Sequence, residues 1–575
     1  MLSYSLFEVA LRLTRACALT LAVSLPLACS STPSKSNAGS PLPGSGGAAS
    51  GGNGSAGGAV VTTGGDGQQC VQGASLAPAR LVLVSDVQYR NIVKDVFGVD
   101  YPANVDVTAP PSTSGLYPFN EGAQIQANTI KAYLRAADQV ATLMPAFPPC
   151  VPGAVNAECM EQFLRAKLPL AWRRPVTDKE LGDLLGIFAS GAPDGQAVQV
   201  KLTMEAALTH SGFLYRSELG GGPTRASGKV SLTAYELAAA VSFALLNSAP
   251  DTELWSKAVD GSLTQASVLS AQVTRLLALE PVRKNLQKKV SFLLDFEKLP
   301  FTHKDATEFE GFASLQPVLY QSSQRFLEDI LGQGHFADLF TSRTIYANQA
   351  MAQAYGLGSV TGMDLQKVVT SGDRYDGGVL TQPALLAASA QNASGDDVVH
   401  RGLWIYYNLL CAPPLPPPPA GAVAAAATMT GSTREVAMQR GMGCGAGCHG
   451  RFDAFGLVTL GYDGIGRFRT TDPTSSPPGA PIDTTATVAG TVLEGHPDVT
   501  TLRGVGELAQ MFAMGRQVSD CAAVNLATYM LEHNPDGSSS CELQAVKDRF
   551  VQSGSFTELF AAILTSPAFL TRDAQ

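Results

Sequence analysis

The chain has 575 residues, more than one hydrophobic core organises, so several packed modules are expected. Its formal net charge is −9 and only 15% of its residues are charged. That balance argues against nucleic acid as a partner, since such a protein carries the basic patches that neutralise phosphates.

The first segment reads as an export signal. Arg12 and Arg15 precede an apolar run over 16–28 that is short for a bilayer span. The run ends in Ala28-Cys29, followed by Ser30-Ser31. A small residue, a cysteine and a polar stretch resemble a bacterial lipoprotein signal over 1–29. Cys29 would then be the lipidated first residue of the mature chain and anchor it to a membrane. A plain signal peptide, with Cys29 incidental, is the other reading. Residues 30–69 are Gly, Ser, Ala and Pro with almost no large apolar side chain, which predicts a disordered tether. The expected location is the bacterial cell envelope, as an outer-membrane lipoprotein facing the periplasm or the surface.

Export permits disulfides. Cys150 and Cys159 bracket a short Pro/Gly loop and are expected to pair. Cys521 and Cys541 bracket another short segment and are expected to pair as well, leaving Cys70 and Cys411 over.

The body from residue 70 onward reads as helix after helix. A capping box, Ser85 with Gln88, opens a helix over 86–97 that Gly98 stops. A loop over 106–122 and an amphipathic helix over 125–144 complete a module over 70–145. The second module, 146–218, has helices over 160–171, 177–189 (boxed by Thr177 and Glu180) and 196–209. Its Trp172-Arg173-Arg174-Pro175 could bind an anion, but packing and pairing with carboxylates such as Glu218 is the favoured reading. The third module, 219–370, opens on a third box, Thr233 with Glu236, and a very apolar helix over 234–246. Almost no segment alternates with period two, so the fold class is mainly α: a multi-domain helical body with little strand.

The fourth module, 371–490, contains a proline run over 413–419 that reads as a rigid spacer. A fourth box, Ser432 with Glu435, starts a helix that delivers the chain to Cys444-Gly445-Ala446-Gly447-Cys448-His449. Two thiols and an imidazole in this order can clip a haem c, Cys444 and Cys448 through thioethers and His449 through the iron. The spacing is C-x-x-x-C-H, one residue longer than the attachment signature C-x-x-C-H. A local disulfide or a zinc site are the other readings. Arg467 and Arg469 downstream could pair haem propionates, and Met511 or Met514 could supply a sixth ligand. The last module, 491–575, is helical again. Its ending over 562–572 matches 206–216 in register at Ala, Leu, Thr, Phe, Leu and Arg, which suggests a duplicated helix ending.

Several segments together resemble a known family: large multi-domain proteins of planctomycetes and myxobacteria, built from domains of unknown function. The resemblance rests on Ser85 to Asn91 with Lys94 to Asp100, on Trp172 to Pro175, and on Phe213 to Glu218. It continues through Leu232 to Leu237, His400-Arg401-Gly402, Cys444 to Arg469 and Cys521 to Arg572. It implies an exported, mainly helical protein with a planctomycete-type cytochrome c module. The expected function is electron transfer at the envelope to a redox partner protein. A haem-dependent oxidoreductase and a non-haem, disulfide-bonded binding protein are the alternatives. No Ser/His/Asp triad signature, H-E-x-x-H or P-loop is visible, and no catalytic residue is assigned.

Overall fold

The computed structural model describes residues 61–63, 69–71, 77–101, 127–144, 155–224, 228–393, 395–417, 429–442, 445, 447–475, 478–489, 492–494, 499–533 and 540–573. All of them belong to one compact unit, Gly57–Gln575. The signal over 1–29 with Cys29, the loop over 106–122, Cys150 and Cys444 lie outside them. Among the described residues helix dominates, and the named strands form two-stranded antiparallel ribbons. Among the described residues no helix is long and apolar enough to cross a membrane.

All four capping boxes form. Ser85, Thr177, Thr233 and Ser432 each accept from the backbone three residues on, and Gln88, Glu180, Glu236 and Glu435 reach back. Each box satisfies two of the amides that a helix start leaves without a partner. Gly98 closes the first helix, Asp86–Phe97, in the left-handed conformation (φ 74°) that glycine adopts without strain.

Two hydrophobic cores share the helix Ala234–Leu246. Ala239 and Phe243 face the smaller core, built from residues 83–214, while Leu237, Val241 and Ala244 face the larger one, which runs to Phe569. A helix buried on both sides must be apolar all round, which is why this one carries a single charge, Glu236, at its start. Even that carboxylate is used twice, for its own cap and to accept from Leu219 and Gly220 of the preceding turn.

The repeated ending has a structural counterpart. Ser211–Leu214 turns into the strand Tyr215–Glu218, and Pro567–Leu570 turns into Thr571–Asp573. The first strand pairs with Arg80–Leu83 and the second with Lys229–Ser231. The two equivalent arginines, Arg216 and Arg572, reach the same buried carboxylate, Glu218, at 3.8 and 2.6 Å, and Arg80 joins them at 2.9 Å. Arg216 also holds Glu532 at 2.6 Å.

Packing and pairing with carboxylates, the favoured reading of Trp172-Arg173-Arg174-Pro175, is what the chain adopts, with Glu180 rather than Glu218 as the carboxylate. Arg173 is buried and donates to the carbonyls of Ala171, Gly212, Phe213 and Tyr215, while Arg174 pairs with Glu180 at 2.6 Å. The guanidiniums of Arg80, Arg216 and Arg572 already occupy Glu218.

Two further expectations are corrected. Val61–Thr63, inside the expected tether, pairs as a strand with Gln69–Val71, because Val and Thr are β-branched and favour extended backbone. Cys521 bonds to Cys411 (Cα–Cα 5.4 Å), not to Cys541. The sequence neighbour lost because Cys521 sits inside the helix Arg516–Leu531, aimed at the end of the 398–409 segment. Cys159 and Cys541 are each disulfide-bonded too. The stretch after Cys411 is no free spacer, since Ala412 and Leu415 pack on the core and Leu415 donates to the Tyr407 hydroxyl.

Burial alone would raise the Glu218 pKa, but Arg572, Arg80 and Arg216 outweigh it and hold the carboxyl well below its ordinary value of 4.5. A depressed carboxylate pKa adds stability that is complete above 4.5 and lost as pH falls through the folded value. Glu218→Gln removes the anion that three buried guanidiniums share and is expected to cost about 3–5 kcal/mol at pH 7. Urea melts at pH 7 and pH 3 check this: the deficit of the variant should shrink at the lower pH.

Candidate functional site

The helix Thr433–Arg440 ends at Gly441, and the next helix is His449–Leu457, where the Cys448 N–H donates to the Gly445 carbonyl. Gly445 sits against the end of that first helix, where a Cβ would overlap the Arg440 carbonyl. Cys448 occupies the cap position and His449 the first helical position. Cys448 is a free, half-buried thiol. It is not part of a local disulfide.

The His449 ring is anchored from one turn further on. Its Nδ1 lies 3.0 and 3.1 Å from the two carboxylate oxygens of Asp453, four residues along the same helix. The Asp453 side chain is buried and the imidazole is about a quarter exposed, with the Phe452 ring 5.0 Å away. Nδ1–H donates to the carboxylate, which fixes the tautomer and leaves Nε2 as the acceptor nitrogen. A second pair of the same kind lies nearby in sequence: His400 Nδ1 is 2.8 Å from both oxygens of Asp397, the cap residue of its helix.

These two helices, Val398–Trp404 and His449–Leu457, pack in direct backbone contact. A Cβ at Gly402 would strike the Phe452 carbonyl, and one at Gly456 would strike the Val398 carbonyl. Arg401, on the first of them, is buried and donates to the carbonyls of Leu386, Tyr462 and Asp463. The imidazole is thus carried on a rigid support rather than a loop.

The other expected site residues are placed differently. Arg467 pairs with Asp463 at 2.6 Å and Arg469 with Asp396, so both guanidiniums hold carboxylates of the chain. Met514 is 82% exposed. Met511 is half-buried and lines a cleft of about 470 Å³ whose other walls come from Arg343, Asp376 and residues 500–510. No residue of the 445–457 segment lines that cleft. Among the described residues no three His, Cys, Asp or Glu side chains converge. The carboxylates behind His449 and His400 were missed in sequence, although His with Asp at i+4, and Asp with His at i+3, are readable spacings.

Two outcomes follow from this geometry. In the folded protein made without haem c maturation, Cys448 should be alkylated by iodoacetamide, while Cys411 and Cys521 react only after reduction; peptide mass mapping reads both. Gly456→Ala should lower stability by about 1–3 kcal/mol through overpacking, measured by thermal melting, with a parallel rise in Cys448 alkylation rate.

Three family models match the chain. Residues 159–218 match PSD5, protein of unknown function (DUF1595); 232–357 match PSD4, protein of unknown function (DUF1592); and 376–472, which include the Cys448–His449 turn, match PSCyt3, protein of unknown function (DUF1588). No curated protein and no solved structure matches it. The chain has the multi-domain architecture of the planctomycete cytochrome c-type module families.

Proposed function

We propose that this protein is an exported, lipid-anchored haem c protein that transfers electrons at the cell envelope. The observation that carries the reading is the Cys448–His449 pair: a free thiol next to an imidazole whose Nδ1 is held by a buried carboxylate. Metal-ligating histidines characteristically donate their second nitrogen to such a group, which orients the ring and raises its basicity. The residues present therefore fit the proximal side of a haem.

In this reading Cys448 and Cys444 anchor the group and His449 Nε2 ligates its iron. Haem iron supplies one-electron chemistry when bound. What the chain contributes is position and tuning. Asp453 holds the ring against rotation, and the glycine contact with the 398–404 helix fixes the ring-bearing helix. Met511 is the methionine retained as a sixth-ligand candidate; exposed Met514 is the weaker one. Arg467 and Arg469 enter only if a propionate displaces Asp463 or Asp396. Cys29 carries the membrane anchor, and the redox partner is another envelope protein.

Expression in an exporting host with haem c maturation, followed by a pyridine haemochrome spectrum, tests the proposal. A c-type band is expected, and it should vanish in Cys444→Ala/Cys448→Ala. A colourless wild-type protein overturns the cytochrome reading. In the haem-loaded protein, Asp453→Asn should raise the midpoint potential by tens of millivolts, since the imidazole loses its carboxylate; potentiometric titration reads it.

A further inference from the structure

A cavity of about 880 Å³ lies where the first helix, the turn after the 234–246 helix, the helix Glu280–Leu293 and the end of the Arg516–Leu531 helix meet. None of its walls comes from the segment that carries Cys448 and His449, so it is independent of the reading above. Its volume lies in the range of small-molecule sites.

The charges in its walls can be balanced group by group. Glu532 is held by Arg216 at 2.6 Å and by Gln88 at 2.8 Å. Asp251 is held by Arg275 at 2.8 Å, and Asp95 accepts from Ser248 at 2.6 Å. Lys284 pairs with Glu280 at 2.8 Å. Lys288 and Lys289 remain. Neither has a hydrogen-bond or ion-pair partner among the described residues; the Lys288 ammonium lies over the Phe292 ring at 6.0 Å and that of Lys289 over the Tyr529 ring at 5.9 Å. Lys288 is exposed, but Lys289 is only 8% exposed. A buried ammonium without an anion is costly. Burial accordingly lowers the Lys289 pKa, against the opposing field of Glu532.

The uncharged groups narrow the ligand further. Asn91 donates to the Asn247 carbonyl, Asn247 to Asn285 Oδ1, and Asn285 to the Leu245 carbonyl. This chain uses amide N–H groups and leaves the side-chain oxygens of Asn91 and Asn247 as acceptors, which hydroxyl groups satisfy. Phe292 and Tyr529, with ring centroids 6.1 Å apart, offer an apolar wall. Glu532, whose charge acts on the lysine, disfavours a compact dianion.

We propose that this cavity binds a hydroxylated organic monocarboxylate of sugar-acid type, with Lys289 as the ion-pair partner of the carboxylate. The lysines supply the charge, the asparagine oxygens take the hydroxyls and the two rings cover the carbon skeleton.

Isothermal titration calorimetry on the purified full chain tests this with galacturonate, gluconate, galactose and inorganic phosphate. Binding of galacturonate or gluconate is expected, at least tenfold tighter than galactose or phosphate. Lys289→Met should weaken the acid at least tenfold while its circular dichroism melt is unchanged or moves upward, because it removes an unpaired buried charge. Should that variant not fold, Asn91→Asp, which sets a carboxylate in the wall, should weaken the acid by a similar factor. Failure of both acids to bind, equal binding of phosphate or galactose, or unchanged binding in the folded variants overturns the proposal.

Discussion

One buried carboxylate ties the two ends of the described body together. Glu218 is met by Arg80 from the strand Arg80–Leu83, by Arg216 from its own strand and by Arg572 from the strand Thr571–Asp573. Three cations against one anion would be unstable in a low-dielectric setting, and the excess is relieved at the edge. Arg216 also reaches Glu532, while Arg80 donates to the carbonyls of Leu531 and Glu532. The Glu532 backbone takes a left-handed turn (φ 49°) to end its helix there, which directs both carbonyls and its carboxylate at the arginines. Chain segments hundreds of residues apart are thus held by groups that cannot be separated without stranding a buried charge.

The features legible in the sequence are those with local causes. Four capping boxes were readable because Ser or Thr and its partner three residues on satisfy each other within one turn, whatever the rest of the chain does. The all-apolar 234–246 helix was readable as helix, but its position between two cores was not, since periodicity vanishes once both faces are buried. The repeated ending was visible as letters; that its two arginines share one glutamate depends on tertiary closure. Cysteine pairing failed for the same reason. Proximity in sequence favours Cys521 with Cys541, yet Cys521 is fixed inside a helix and points at Cys411.

At the Cys448–His449 turn the sequence disclosed the reactive groups and not what positions them. Once the helix is formed, Asp453 falls one turn below His449 and is buried. Gly402 and Gly456 each sit inside a helix. Glycine within a helix is unfavourable by about 1 kcal/mol relative to alanine, so the contact it permits must return more than that. Here it lets two helices, each with a histidine held by an aspartate, approach to backbone distance.

The Glu532 carboxylate also bounds the cavity beside Lys289, so the arginine cluster and the cavity are electrically linked. Arg216 and Gln88 use both Glu532 oxygens, which leaves that group with little capacity to neutralise the lysine. Replacing Lys289 by an apolar residue would relieve the charge without disturbing any hydrogen bond among the described residues. A position where the most stable residue is not the one present is one where stability has been given up for something else. The asparagine ladder and the two rings around it point to a ligand as that something, because each leaves a surface in the cavity that the fold itself does not use.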